Sequence, residues 1–372
     1  MRVGVPREIK VHEYRVGLTP GSVKELSARG HQVLVESGAG EAIGFHDAAY
    51  IAAGASIARD AAEIFRAAEL IVKVKEPQPE EWLQLRPGQV LFTYLHLAPA
   101  PDLTHGLVAS GASAVAYETV TDARGGLPLL APMSEVAGRM AVQVGARCLE
   151  KDAGGAGILL GGVPGVPGAH VVVLGGGVVG ANAARIARGM RARVTVLDRS
   201  PHVMHALDAE FDGAVATLFA TAAAVEAAVL DADLVIGAVL LPGAAAPRLV
   251  TRDLVSRMRK GSVVVDVAID QGGCFETSRP TTHAEPTYVV DGVVHYCVTN
   301  MPGAVARTST VALNNATLPF TLQIADKGLR QACQENAHLA QGLNVHAGHI
   351  THPAVAAALG MPLVEPGVAM AL

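Results

Sequence analysis

The first part of the chain alternates two periodicities. MRVGVP, HQVLVE and LIVKVKEP are short runs of β-branched and aliphatic residues, as expected of strands covered on both faces. Between them, SVKELSARG and AAEIFRAAE space their apolar residues three and four apart, which predicts amphipathic helices, the first closed by Gly30. VLFTYLHLA, DLTHGLVASG and SAVAYETV continue as strand, helix and strand. A run of βα units predicts a parallel sheet.

The pattern changes near Ser134. SEVAGRMAVQVGARCLEK sets Val136, Met140 and Val144 on one helix face with Ser134 as N-cap, and reads as a long helix crossing between domains. After the glycine-rich GGAGILLGGVPGVPG, a second βα series supplies the strands HVVVLG, ARVTVLD, DLVIGAV and GSVVVDVAID. TSTVALNNATLPFTLQIADKGLRQAC predicts a helix interrupted near Pro319 that returns the chain to the first domain. The expected fold class is α/β, with two doubly wound domains linked by long helices. A Rossmann dinucleotide-binding domain (131–307) is inserted into a split substrate domain (1–130 and 308–372).

Composition narrows the class. Of 372 residues half are hydrophobic and only 4% aromatic, which suits buried parallel sheets. A net charge of −5 gives no basic field for nucleic acid. Cys148, Cys274, Cys297 and Cys333 form no CxxC pair and read as free thiols of a reducing cytoplasm. MRVGVPREIK lacks the pattern of a signal peptide, and the glycines and prolines within 153–184 break any membrane-spanning helix.

VVVLGGGVVGANAARIA places Gly175, Gly177 and Gly180 in G-x-G-x-x-G spacing after an apolar strand and at the start of a helix. The first glycine permits the turn, the second the approach of a pyrophosphate, the third close helix–strand packing. ARVTVLD ends in Asp198, 18 residues beyond Gly180 (198 − 180), where a carboxylate binds a ribose diol. Asp198 would repel a 2′-phosphate and favours NAD, whereas Arg199 could accept that phosphate. SGAGEAIG at 37–44 has G-x-G-x-x-x-G spacing and is expected to be a structural loop.

Ligands of open α/β sheets lie beyond the carboxyl ends of strands. LIVKVK ends in Lys75, VLFTYLH in Tyr94 and His96, SVVVDVAID in Asp270, and Arg15 follows the first strand. Arg15 and Lys75 can hold a substrate carboxylate, His96 can shuttle a proton, and Asp270 can stabilise a developing cation. These parts serve a 2-hydroxy acid or a 2-amino acid equally, and spacing does not choose. Lys73 is assigned a structural role, one pleat deeper than Lys75 or solvated at a sheet margin. In HAGHITH, spacings of three and six drift around a helix, so His346, His349 and His352 are read as solvated or interface residues and no metal is expected.

Taken together, MRVGVPREIKVHEYRVGLTP, VKVKEP, LFTYLHLA, APMSEVAGRM, LLGGVPGV, VVDVAIDQGGCFETSRPTTH and NMPGAVARTST resemble bacterial L-alanine dehydrogenases, in register over nearly the whole chain. The resemblance implies reversible oxidative deamination of L-alanine to pyruvate and ammonium with NAD, by a cytoplasmic homohexamer. It implies catalytic roles for His96 and Asp270, and substrate contacts from Arg15, Lys75, Tyr94, Met133 and Asn300. It further implies a nucleotide pocket of Ser134, Gly175, Gly177, Val178, Val179, Gly180, Asp198, Arg199, Val239, Leu240, Val267, Asp270, Val298, Asn300 and Met301. The chain departs from the family's usual pattern at His202 and Val203, where a basic residue is frequent, and at Ala306, where proline is common. The rival classes are a D-2-hydroxyacid dehydrogenase-like oxidoreductase, a transhydrogenase NAD-binding subunit, and a non-enzymatic nucleotide sensor.

Overall fold

The computed structural model describes residues 1–239 and 246–371, and counts refer to these residues. The strands of the first half are β1 (Arg2–Val5), β2 (Gln32–Glu36), β3 (Ser56–Ala58), β4 (Leu70–Val72), β5 (Val90–Thr93) and β6 (Ser113–Ala116). Next come β7 (His170–Leu174), β8 (Arg193–Asp198), β9 (Ala216–Phe219), β10 (Leu234–Gly237) and β11 (Val263–Asp266). The last are β12 (Thr287–Val290), β13 (Val293–Tyr296), β14 (Leu343–His346) and β15 (His349–Ile350).

Two compact units result, one of residues 1–132 and 305–372, the other of residues 133–304. The first holds an eight-stranded sheet in the order β15-β14-β6-β5-β4-β1-β2-β3, and the second a seven-stranded sheet in the order β12-β13-β11-β10-β7-β8-β9. β1 to β6 are mutually parallel, as are β7 to β11 and β13, while antiparallel β12, β14 and β15 sit at sheet margins. Central strands are fully buried, as in the apolar runs Leu70–Val72 and Val171–Val173. Each such aliphatic side chain contributes about 1.5–3 kcal/mol.

Chain order reverses between β1 and β4 in the first sheet and between β7 and β10 in the second. These switch points open a crevice at the carboxyl ends of the strands.

Several local expectations are corrected. The apolar pattern around Lys75 does not continue the strand: β4 stops at Val72, so Lys73 and Lys75 lie in the following loop. β5 likewise ends at Thr93, before Tyr94 and His96. β11 stops at Asp266, and Asp270 sits in a 3-10 turn, Val267–Gln271. The crossing helix runs Ala131–Cys148, so Ser134 is inside its first turn and is not its cap. Pro319 lies within an unbroken helix, Ala306–Lys327, and the break falls at Gly328, whose φ of 75° ends the helix. HAGHITH is a β-hairpin, not a helix, with His346 opposite His349.

Candidate functional site

In the unit built from 1–132 and 305–372, the polar residues follow three neighbouring strands. Arg15 is in the loop after β1, Lys75 after β4, and Tyr94 and His96 after β5. Arg15 is buried, and Glu13 holds one edge of its guanidinium in a two-pronged fork: Nε donates to Oε1 at 2.7 Å and Nη2 to Oε2 at 2.6 Å. This fork fixes the guanidinium plane at the cost of desolvating two charges. Arg15, Lys10, Tyr14 and Glu41 border a cleft of about 650 Å³. Its other wall is the 37–44 loop, a structural turn in which Asp47 accepts the Ser37 hydroxyl at 2.7 Å and the Gly38 N–H at 2.9 Å.

His96 adopts a left-handed backbone, φ 49°, which costs a residue with a Cβ about 1–2 kcal/mol. Glu118 holds that turn: its carboxylate accepts the His96 N–H at 2.6 Å and the Leu95 N–H at 3.2 Å. The same Oε1 lies 3.9 Å from His96 Nδ1, and the imidazole is half exposed, at 49%. The Tyr94 ring stacks on the imidazole at 5.9 Å and 6° between planes, while its hydroxyl donates to the Leu129 carbonyl at 2.5 Å. The tyrosine is buried, so it presents a ring face, not its hydroxyl, to the histidine. The half-exposed ring is the arrangement a proton shuttle needs: oriented from beneath and open above.

Lys73 is neither solvated nor marginal. Its ammonium is 0% exposed, 3.1 Å from Glu8 Oε2 and 2.7 Å from Glu81 Oε1. Burial pushes the Glu8 carboxyl above its usual range, while for Lys73 the two carboxylates outweigh the opposing effect of burial and raise its pKa. Lys75 beside it is half buried. Glu8, Glu13, Glu81 and Glu118 escaped the sequence reading: Glu8 and Glu13 are in a loop, Glu81 in a four-residue helix and Glu118 in a 3-10 turn, segments too short or irregular to carry a periodic signal.

In the unit of residues 133–304, the glycine loop after β7 opens the helix Val178–Gly189. Gly175 has φ 96°, and a Cβ on Gly180 would fall 1.8 Å from the Gly175 carbonyl oxygen. A Cβ on Gly177 would meet nothing within 4 Å. Gly177 is the N-cap and offers no side chain, so the first turn's N–H groups and its positive dipole end face that open space. Asp198 at the end of β8 accepts the Gly176 N–H at 2.7 Å and the Ser200 N–H at 2.8 Å, each with a different oxygen. Val179 is buried, Val178 and Arg199 are exposed, and Ser134 is half buried.

Val239 follows β10 and Val267 follows β11. Met133, Val298 and Met301 are buried, and His283 donates to the Asn300 carbonyl at 2.8 Å. Asp270 is exposed on its 3-10 turn. That turn is anchored by Asp266, which is fully buried and accepts the Cys274 N–H at 2.9 Å and the Ser278 hydroxyl at 2.6 Å. Burial raises the pKa of Asp266. Leu240 lies outside the described residues. The four cysteines are free and buried, and burial pushes Cys148 up to about 11 and Cys274 and Cys333 up to about 12. Such thiols are poor nucleophiles. Among the described residues no helix is long and apolar enough to cross a membrane.

Comparison with known proteins gives the chain a family. Family models described as "Alanine dehydrogenase/PNT, N-terminal domain" and "C-terminal domain" match residues 4–137 and 141–353. Alanine dehydrogenase of Halomonas elongata is 64% identical over 98% of both chains, and that of Mycobacterium tuberculosis 54% identical over 100% of both. A solved L-alanine dehydrogenase superimposes with a TM-score of 0.94 at 52% identity, covering 97% of this chain and 99% of that one. A transhydrogenase from Sinorhizobium meliloti gives 0.81 at 27% identity, covering 95% of this chain and 100% of the other. The chain belongs to the alanine dehydrogenase/PNT family.

Proposed function

We propose that the chain is an NAD-dependent L-alanine dehydrogenase, converting L-alanine, NAD and water to pyruvate, ammonium, NADH and a proton, reversibly. The reading rests on Arg15, Lys75 and His96 following three adjacent strands, in a chain sharing 64% identity with an alanine dehydrogenase along 98% of its length.

The cradle fits a dinucleotide: the Gly177 Cβ position is open, the helix start is uncapped by any side chain, and Gly180 tolerates no Cβ. The backbone of 175–180 would hold the pyrophosphate and Asp198 the ribose. Ser134, Val178, Val179, Arg199, Val239, Val267, Val298, Asn300 and Met301 would complete the pocket. Bound NAD supplies the hydride acceptor. The carboxylate at Asp198 favours NAD over a cofactor with a 2′-phosphate.

Arg15 and Lys75 bind the substrate carboxylate and carbonyl oxygen, with Tyr94 beside them in the same unit, and the family resemblance adds Met133 and Asn300 as substrate contacts. Loss of hydride from Cα leaves an iminium, whose charge Asp270 stabilises. His96 takes a proton from the water that adds to the imine carbon. It returns that proton to the amino nitrogen, then, neutral again, takes the carbinol hydroxyl proton as the C–N bond breaks, so that ammonia leaves, to be protonated to ammonium, and the C–O bond becomes the carbonyl of pyruvate. The assembly that goes with this reading is a cytoplasmic homohexamer, which light scattering would report as six times the chain mass.

Initial rates with L-alanine, L-serine and glycine, each with NAD and with NADP, test the assignment. L-Alanine with NAD is expected to be fastest. Absence of L-alanine-dependent NAD reduction would overturn it.

A further inference from the structure

Lys73 contacts Glu8 and Glu81 in a fully buried cluster that the catalytic account leaves unused. Its position suggests a purpose. The ladder between β1 and β4 covers only Val3–Leu70 and Gly4–Ile71, because the chain leaves the sheet at Pro6, which has no N–H to donate. The loop from Lys73 to Lys75 therefore loses its neighbouring strand where Lys75 must be aimed.

Side chains replace that strand. The Glu8 carboxylate accepts the Val74 N–H at 2.7 Å and the Lys75 N–H at 3.4 Å, standing in for β-sheet carbonyls. The Lys73 N–H donates to the Phe92 carbonyl at 3.1 Å, and the Lys73 carbonyl accepts from the Tyr117 hydroxyl at 2.9 Å. The Val74 carbonyl accepts from the Tyr94 N–H at 3.3 Å, and the Lys75 carbonyl from the Thr93 hydroxyl at 2.9 Å. All six backbone polar groups of the tripeptide are thus satisfied. A carboxylate can take this role in a buried site only with a counter-charge, and the Lys73 ammonium provides it, with Glu81 as its second partner.

We infer that Glu8, with Lys73 as its counter-ion, is a positioning residue that sets where Lys75 meets the substrate. Glu8 lines the cleft beside Arg15, but its side chain is only 2% exposed and turned to Lys73 and the loop, so its effect on substrate affinity runs through the placement of Lys75. This rests on the reading of Lys75 as a substrate ligand, and the controls separate the two ideas.

The test compares Glu8→Ala, Glu8→Gln and Lys75→Ala. Both Glu8 variants leave Lys73 matched one to one with Glu81, so neither strands a buried charge. Glu8→Ala removes the acceptor of the Val74 and Lys75 N–H groups. KM for pyruvate and L-alanine is expected to rise about tenfold or more, the usual result of a small misplacement of a binding group. NADH affinity, read by fluorescence titration, is expected to stay at the parent value. Glu8→Gln, which keeps an acceptor oxygen, should raise KM less. A merely structural role would lower the unfolding temperature and leave KM unmoved. If Lys75→Ala raises KM while Glu8→Ala does not, the positioning role is overturned. If Lys75→Ala leaves KM unchanged, the substrate reading of Lys75 fails instead. Should Glu8→Ala not fold, an unchanged KM in Glu8→Gln beside a raised KM in Lys75→Ala overturns the role equally.

Discussion

The loop after β7 and the loops after β1 and β4 stand at equivalent places, at the switch point of a doubly wound sheet, with the loop after β5 one strand away, yet they are built differently. The first is mostly backbone: glycines whose missing Cβ atoms leave room, with one carboxylate, Asp198, bracing the turn. The others present charged side chains, each held by a carboxylate, from the same loop for Arg15 and from another segment for His96 and Lys75. Glu13 grips Arg15, Glu118 the turn of His96, and Glu8 the loop of Lys75. A phosphate binder can be made from N–H groups whose direction the turn already fixes. A site that must distinguish a small acid and move a proton needs charged groups, and in a partly buried place each requires its own partner.

Substitutions can break this contrast. The largest effect is expected for Gly180→Ala, whose Cβ would lie 1.8 Å from the Gly175 oxygen. Overpacking against rigid backbone should cost on the order of 3 kcal/mol or more. Thermal unfolding should show it, with NADH binding reduced roughly a hundredfold. Next is His96→Ala, expected to lower turnover by roughly 10²-fold with NADH affinity retained. Unchanged turnover would remove His96 from the mechanism.

Gly177→Ala sharpens the comparison. Its φ of −65° suits alanine and its Cβ position is empty, so the unfolding temperature should hold while the NADH dissociation constant rises about tenfold. Equal losses of stability and binding would show the cradle to be tighter than described. Glu118→Ala should lower kcat several-fold, on the order of 1 kcal/mol, through the loosened left-handed turn of His96, with NADH binding unaffected.

The smallest effect concerns acid. His295 is fully buried in the second sheet, its ring bonded to the Thr277 hydroxyl at 2.7 Å and the Val293 carbonyl at 3.0 Å. Burial lowers its pKa below the usual 6.5. The unfolded ring therefore takes up a proton that the folded ring resists, so stability is full above pH 6.5 and falls as pH drops through it. The slope for this one ring is at most about 1.4 kcal/mol per pH unit, and His295→Gln should flatten that part of the Tm profile.

The same contrast decides what the sequence revealed. The glycine cradle could be read directly, because its spacing and the preceding apolar strand are local. The alternation of βα units was equally plain. Strand ends were not: the pattern around Lys73 and Lys75 looks like a strand, but pairing with β1 stops where Pro6 leads that strand out of the sheet. Pro319 suggested a break, yet it sits inside a helix that continues to Lys327. The carboxylates of Glu8, Glu81 and Glu118 could not be found from spacing. Lys73 and Glu8 are 65 residues apart, and Glu118 is 22 from His96. Only folding brings them together. The kinds of role open to Arg15, Lys75, His96 and Asp270 were readable from their chemistry at the ends of apolar runs, but the choice between two substrate classes came from resemblance.

The choice between those classes is the central claim, and one measurement addresses it: the initial rate of NADH oxidation with pyruvate, with and without ammonium. An alanine dehydrogenase oxidises NADH with pyruvate only when ammonium is supplied, and the rate saturates as ammonium is raised. Oxidation at the same rate without ammonium would contradict the account and point to a hydroxyacid dehydrogenase.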